Sequence, residues 1–256
     1  MAQHATKPAQ LPTTSATFLR YSALAGIIGT VLFVIVLFIE GATRPGYSAW
    51  RNFGSELSLS NQGWEQVSNF FMCGLLSIWF ALGLRRMLAT GKGSLAGPVA
   101  LGIFGLALIV AGIFVTDPAL GYPPGSGVGN GFHNGTLHGT IHGLAGLVCF
   151  AALAVACFVL ARRFAGDPRW RGWTAYSTIS GVLVALSFVI SSVTSVLDER
   201  GVWPGAPTGF IQRVGIVVGW AWIAFLAARL YRAPSSGLAA EAPAHEKDPE
   251  PVNPPV

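Results

Sequence analysis

The sequence is short of charge. Only 11% of its 256 residues are Asp, Glu, Lys or Arg, against about 25% in an ordinary soluble domain. So few charged side chains cannot clothe a water-facing surface, which excludes a soluble globular domain. Cysteine is scarce as well. Cys73, Cys149 and Cys157 all fall inside apolar runs, and an odd, buried set is not a disulfide framework. There is no Walker phosphate loop, no GxSxG nucleophile elbow and no HExxH pair. The glycine-rich run at 125–131 lacks the lysine and the strand-to-helix setting of a phosphate loop. The net charge of +5 comes from basic residues in short loops and tails, so nucleic acid is not an expected partner.

What the chain has instead is apolar length. Hydrophobic residues make up 52% of it. Six runs, at about 18–39, 64–88, 95–115, 137–164, 173–197 and 209–231, are long enough to cross a bilayer as helices. The first is too long for a signal-peptide core and has no small-residue cleavage site behind it, so it stays in place. The expected fold is therefore all-α, a polytopic six-transmembrane-helix bundle over 18–232. Residues 1–17 and 233–256 are polar and carry prolines, six of them in the second stretch, and read as disordered tails.

Six helices put both tails on one side. Twelve of the sixteen Lys and Arg fall on that side, and only Arg44, Arg51, Arg200 and Arg213 fall on the other. The positive-inside rule then makes both termini cytoplasmic and the protein a multi-pass component of the plasma membrane.

The polar residues of the outward side are the candidate site. His138 and His142 open the fourth helix four residues apart, so a helix stacks them on one face. Two imidazoles at that spacing suit zinc, which needs further ligands. His133, five residues earlier, is the next candidate metal ligand. Asp117 ends the third helix, Glu56 lies in the loop after the first, and Asp198 ends the fifth. One of these carboxylates is the expected general base or fourth ligand. The plainer alternative is that the histidines only hydrogen-bond carbonyls or carboxylates at the interface. Ser180, Ser187, Ser191, Thr194 and Asp198 form one stripe of the fifth helix, as helix-packing residues or as the lining of a pocket. Gly139, Gly143, Gly146, Gly215 and Gly219 read as close helix packing, as do Asn69 and Cys73. Arg213 is placed to pair with Asp198 or a lipid phosphate.

Several short motifs recur together in one known family. They are RPGY at 44–47, SEL at 55–57, NFFMCG at 69–74, GIFVTDP at 112–118, and His138 with His142. In their order and spacing the chain resembles the bacterial membrane family catalogued as domain of unknown function 998, over roughly residues 18–232. The resemblance implies the six-helix architecture and supplies no activity. The histidines, aspartate and serines are also loosely similar to membrane hydrolases built around zinc. Two functions are thus expected of the outer cluster. One is metal-dependent hydrolysis of a lipid or lipid-linked substrate. The other is a non-enzymatic role, in transport, ion or lipid binding, or membrane structure and regulation. Membrane lipids are the expected partners in both.

The basic-residue count makes a direct prediction. An alkaline phosphatase fused after Ala233 should be inactive because it stays in the cytoplasm. An active fusion would overturn the helix count or the orientation.

Overall fold

The computed structural model describes residues 13–126 and 135–232. It contains six long helices: α1 (Thr13–Thr43), α2 (Gly63–Met87), α3 (Ala96–Ile113), α4 (Leu137–Phe164), α5 (Trp173–Glu199) and α6 (Thr208–Arg232). Short 3-10 turns at Gly54–Ser58 and Pro168–Trp170 interrupt two of the loops, and no strand occurs among the described residues. All six helices are long and apolar enough to cross a membrane, so the chain is an all-α multi-pass membrane protein. The three cysteines are buried and free.

The helix ends follow local chemistry. Residues 13–17, expected in the N-terminal tail, are helical: α1 starts directly after Pro12. It runs on to Thr43 because nothing breaks it before Pro45, which disfavours the helical conformation at Arg44. Arg85 and Arg86 close α2, and Arg162 and Arg163 close α4, where cations suit the helix dipole. The rest of both expected tails, 1–12 and 233–256, lies outside the described residues.

Each helix packs against its neighbours in sequence, and α6 returns to pack on α1. The bundle is therefore a closed ring. The starts of α1, α3 and α5 share one end, the termini end, with the finishes of α2, α4 and α6. At that end Arg20 donates to the Tyr231 hydroxyl at 2.8 Å, and the Arg86 guanidinium lies 4.1 Å from the centre of the Phe18 ring. The opposite, distal end carries the α1–α2, α3–α4 and α5–α6 loops.

Facing is decided by size more than by polarity, because lipid is as apolar as the core. On α5 the buried positions include Ser177, Ser180, Gly181, Ser187, Ser191 and Ser195, while Ile179, Leu183, Leu186, Val189, Ile190 and Val193 are exposed. Small residues go inward and let backbones approach; large apolar residues go outward to lipid. At mid-height Trp220 of α6 fills the axis. Its ring lies 4.9 Å from Phe104, 5.2 Å from Phe33 and 6.2 Å from Phe150, so three other helices meet on it.

Two helix backbones come close together where α2 meets α3. A Cβ added at Gly74 would sit 2.6 Å from the Gly105 carbonyl oxygen, and one at Gly105 would sit 2.6 Å from that of Gly74. Gly74→Ala should therefore force the two backbones apart. We expect a loss of about 1–3 kcal/mol, read as a lower unfolding midpoint in detergent. Gly143→Ala, where a Cβ meets no atom within 4 Å, should leave it unchanged. Equal midpoints for both variants would refute this packing.

Candidate functional site

Three arginines build the distal roof. Arg44 is buried and donates to the carbonyls of Leu57 and Gln62, each at 3.3 Å, to Ser60 Oγ at 3.1 Å and to Glu65 at 3.2 Å. Arg213 is buried too and donates through Nη1 to the carbonyls of Ala49, Asn52 and Gly209, each at 3.0 Å, and through Nη2 to the Tyr47 hydroxyl. Arg51 makes a fork-on-fork pair with Asp198, Nε to Oδ2 at 2.7 Å and Nη2 to Oδ1 at 2.8 Å. Asp198 Oδ1 also accepts from Gly205 N–H at 3.1 Å. The partner of Asp198 is thus Arg51 and not Arg213, whose reach is taken up by loop carbonyls. Together these bonds fold the α1–α2 loop down over the mouth of the ring.

Glu56 belongs to that loop and turns inward, 1% exposed. Its Oε2 accepts from Phe53 N–H at 2.6 Å and its Oε1 from Ala119 N–H at 3.2 Å, so it ties the first distal loop to the second. Burial pushes its carboxyl up to about 8. The Phe53 N–H, the Asn52 side chain and the Ala119 N–H pull the other way, while the charge of Glu199 adds to the rise.

Asp117 holds the start of α4. Its Oδ2 accepts from Thr136 N–H at 2.8 Å and its Oδ1 from the Thr136 hydroxyl at 2.7 Å. Thr136 in turn caps the helix by accepting from Gly139 N–H at 3.0 Å. Gly139 is required here because a Cβ would overlap the Asp117 carboxylate. One turn on, His142 is buried with Nδ1 at 3.0 Å from the Ala111 carbonyl and 2.8 Å from that of Phe114. Carbonyls only accept, so Nδ1 carries the proton and the neutral ring keeps Nε2 as an acceptor. His138 is exposed, with its ring edge-on to Phe114 at 5.3 Å. His133 lies outside the described residues.

Between the roof and Trp220 is a cavity of about 670 Å³, walled by residues of all six helices. Asp117 and His142 are both in its wall. Glu56 and Asp198 are not among the described lining residues, and His138 is not either. The floor and sides are aromatic and aliphatic: Phe33, Phe70, Phe150, Phe188, Leu108 and Trp220. The lining residues that are also exposed are Gly135, Thr140, Gly143, Leu144 and Leu147, all at or along the start of α4. The mouth therefore runs down the side of α4. Leu147 is ten residues past Leu137, so it extends about 15 Å along the helix.

One sequence reading is corrected here and another is divided. Gly143 and Gly146 do not permit close packing; a Cβ at either meets nothing within 4 Å, and both line the cavity. The serine stripe of α5 divides by height. Ser187 abuts Gly215, where a Cβ would overlap its hydroxyl, while Ser191 lines the cavity. Higher up, Thr194 accepts from Thr208 at 2.9 Å. Gly219, Asn69 and Cys73 do serve packing: a Cβ at Gly219 would meet Leu153 at 2.6 Å, Asn69 bonds the Phe33 carbonyl at 3.1 Å, and Cys73 is fully buried. The residues that sequence reasoning missed are Gln66, Ser192, Ser195 and Glu199, all in the wall. Ser195 follows Ser191 at the four-residue spacing of one helix face, which was the available signal. Among the described residues no three His, Cys, Asp or Glu side chains gather as a metal-binding group.

A family model described as "Protein of unknown function (DUF998)" matches residues 27–229. No curated protein and no solved structure matches the chain.

Glu56 makes the site pH-sensitive. Its folded value of about 8 lies above the ordinary 4.5, so the folded state holds a proton that the unfolded state releases. Its contribution to stability is full below about pH 4.5 and is lost as the pH rises through about 8. Melting temperature in detergent should fall across that window, and Glu56→Gln should flatten the fall. A variant that keeps the wild-type slope would assign the titration to another group.

Proposed function

We propose that this chain, which belongs to the DUF998 family of proteins of unknown function, holds an amphipathic molecule drawn from the bilayer in the distal cavity of its ring. The single observation that carries the reading is the mouth along α4. It opens sideways, beside exposed Leu144 and Leu147, rather than only toward water. A tail lying in the membrane meets an apolar wall there, and the head meets the polar rim of Asp117, Thr140 and the α5 serines. The excess of basic residues on the termini side supports a plasma-membrane orientation with this cavity facing outward.

A metal-dependent hydrolase is a second use of the same cavity, on a lipid or lipid-linked substrate. What favours it is the anchoring of His142: an imidazole held through Nδ1 by carbonyls is oriented to offer Nε2 to a metal or a proton. Zinc would take His142 with His138 and His133, and Asp117, which of the three expected carboxylates is the one in the cavity wall, would act as base or fourth ligand. Zinc content of the purified protein, compared with His138→Ala and His142→Ala, decides this use. Equal content in all three ends it.

For the cavity itself, Gly143→Leu and Gly146→Leu fill the mouth without touching its roof. Wild-type protein should carry an amphiphile through purification, measured by mass spectrometry. The double variant should carry about tenfold less while melting at the same temperature. Wild-type protein free of any such molecule, or a variant that retains it, would refute the reading.

A further inference from the structure

The cavity wall is specific about the head it can accept. Its charge has one sign: among the described lining residues Asp117 and Glu199 are acidic and none is Lys or Arg. The stretch 127–134, outside the described residues, has no Lys or Arg in its sequence. Of the four distal arginines, Arg44, Arg51 and Arg213 are spent on loop carbonyls and on Asp198, and Arg200 is exposed at the end of α5 and is not among the described lining residues. An anionic head brought here would be desolvated beside Asp117 and Glu199 with no Lys or Arg among the described lining residues to meet it, which is costly.

The wall also holds polar groups that lack partners. Gln66 is fully buried, and its orientation is fixed by a chain of bonds. Asn69 Nδ2 donates to the Phe33 carbonyl at 3.1 Å, so it also donates to Gln66 Oε1 at 3.2 Å. Gln66 Nε2 is then a donor, and it has no acceptor. Ser195 Oγ, 1% exposed, has no partner either. Buried donors left unmet are rare and call for an acceptor. An ammonium head offers none.

We infer that the cavity selects an uncharged lipid whose head carries a hydroxyl or carbonyl oxygen. Gln66 Nε2 donates to that oxygen, Ser195 donates to it or accepts from it, and the chain lies between Phe33, Phe150 and Phe188. This rests on the reading that the cavity takes an amphiphile.

The test is equilibrium binding of radiolabelled 1-oleoylglycerol to the full-length protein in detergent. Competitors of the same chain length are oleyl alcohol, oleate, 1-oleoyl lysophosphatidate and oleyltrimethylammonium. The two uncharged lipids should compete best, and both anions at least about tenfold more weakly. Ser195→Ala and Gln66→Leu should each weaken 1-oleoylglycerol about fivefold, the worth of one hydrogen bond, and leave oleyltrimethylammonium unaffected. An anion or the cation competing as well as the uncharged lipids overturns the inference and leaves the amphiphile cavity standing. Uncharged lipids preferred but unaffected by both substitutions also overturn it. No binding of any of these probes overturns the inference together with the cavity reading.

Discussion

The distal half of the protein hangs on the pair between Arg51 and Asp198. Asp198 is buried at the end of α5, and an isolated carboxylate there would be expensive. Two guanidinium bonds and one backbone N–H satisfy it. The pair also draws the α1–α2 loop across the ring until Arg213 can grasp that loop's carbonyls from below. Phe53, Gly54 and Ser55 are cavity wall in this arrangement, and Gly54 N–H is held as well by Gln212 Oε1 at 2.8 Å. Breaking one member of such a buried pair costs about 3–5 kcal/mol in soluble proteins, most of it from the charge left behind.

This gives the two ends of the bundle different electrostatic characters. Distal Arg44, Arg51 and Arg213 are internal cross-links with fixed partners. At the termini end Arg163 is held by the Thr90 carbonyl and Arg169 by Asp167, while three cationic heads lie on aromatic faces: Arg86 over Phe18, Arg20 over Tyr231, and Arg229 at 4.5 Å from the centre of Trp170. Such placements keep the charge near water while the stem covers apolar surface. The basic residues of the two ends are therefore not equivalent, and a bare count understates the asymmetry between them.

The fold was legible because bilayer length and backbone satisfaction leave few alternatives to a helix. The α4 boundaries read from the sequence, 137–164, are those of the structure. The site was legible only in part. Asp117 and His142 stood out because charge and imidazole are rare in an apolar chain, and they do share one wall. Asp198 and Glu56 stood out for the same reason, yet their oxygens are taken by Arg51 and by backbone N–H groups of Phe53 and Ala119. Nothing in the sequence tells which acid meets an arginine from 147 residues away. Gln66 and Ser195 escaped notice because their significance is the absence of a partner, which only packing reveals. Gly143 and Gly146 were read as contacts because a glycine that admits a neighbour and one that leaves a gap are identical letters.

Ring closure by α1 and α6 has a consequence for the order of assembly. Helices that pack only on their neighbours can settle in pairs as synthesis delivers them, with little entropy lost to long-range search. The exception is the last helix. Until α6 is delivered, the stripe of α5 carrying Ser187 has no Gly215 to close on, and the axis lacks Trp220. A nascent chain halted after α5 is an open crescent with hydroxyl groups facing lipid. The chamber thus comes into being in one event, when α6 is delivered, because the first five helices leave its wall open.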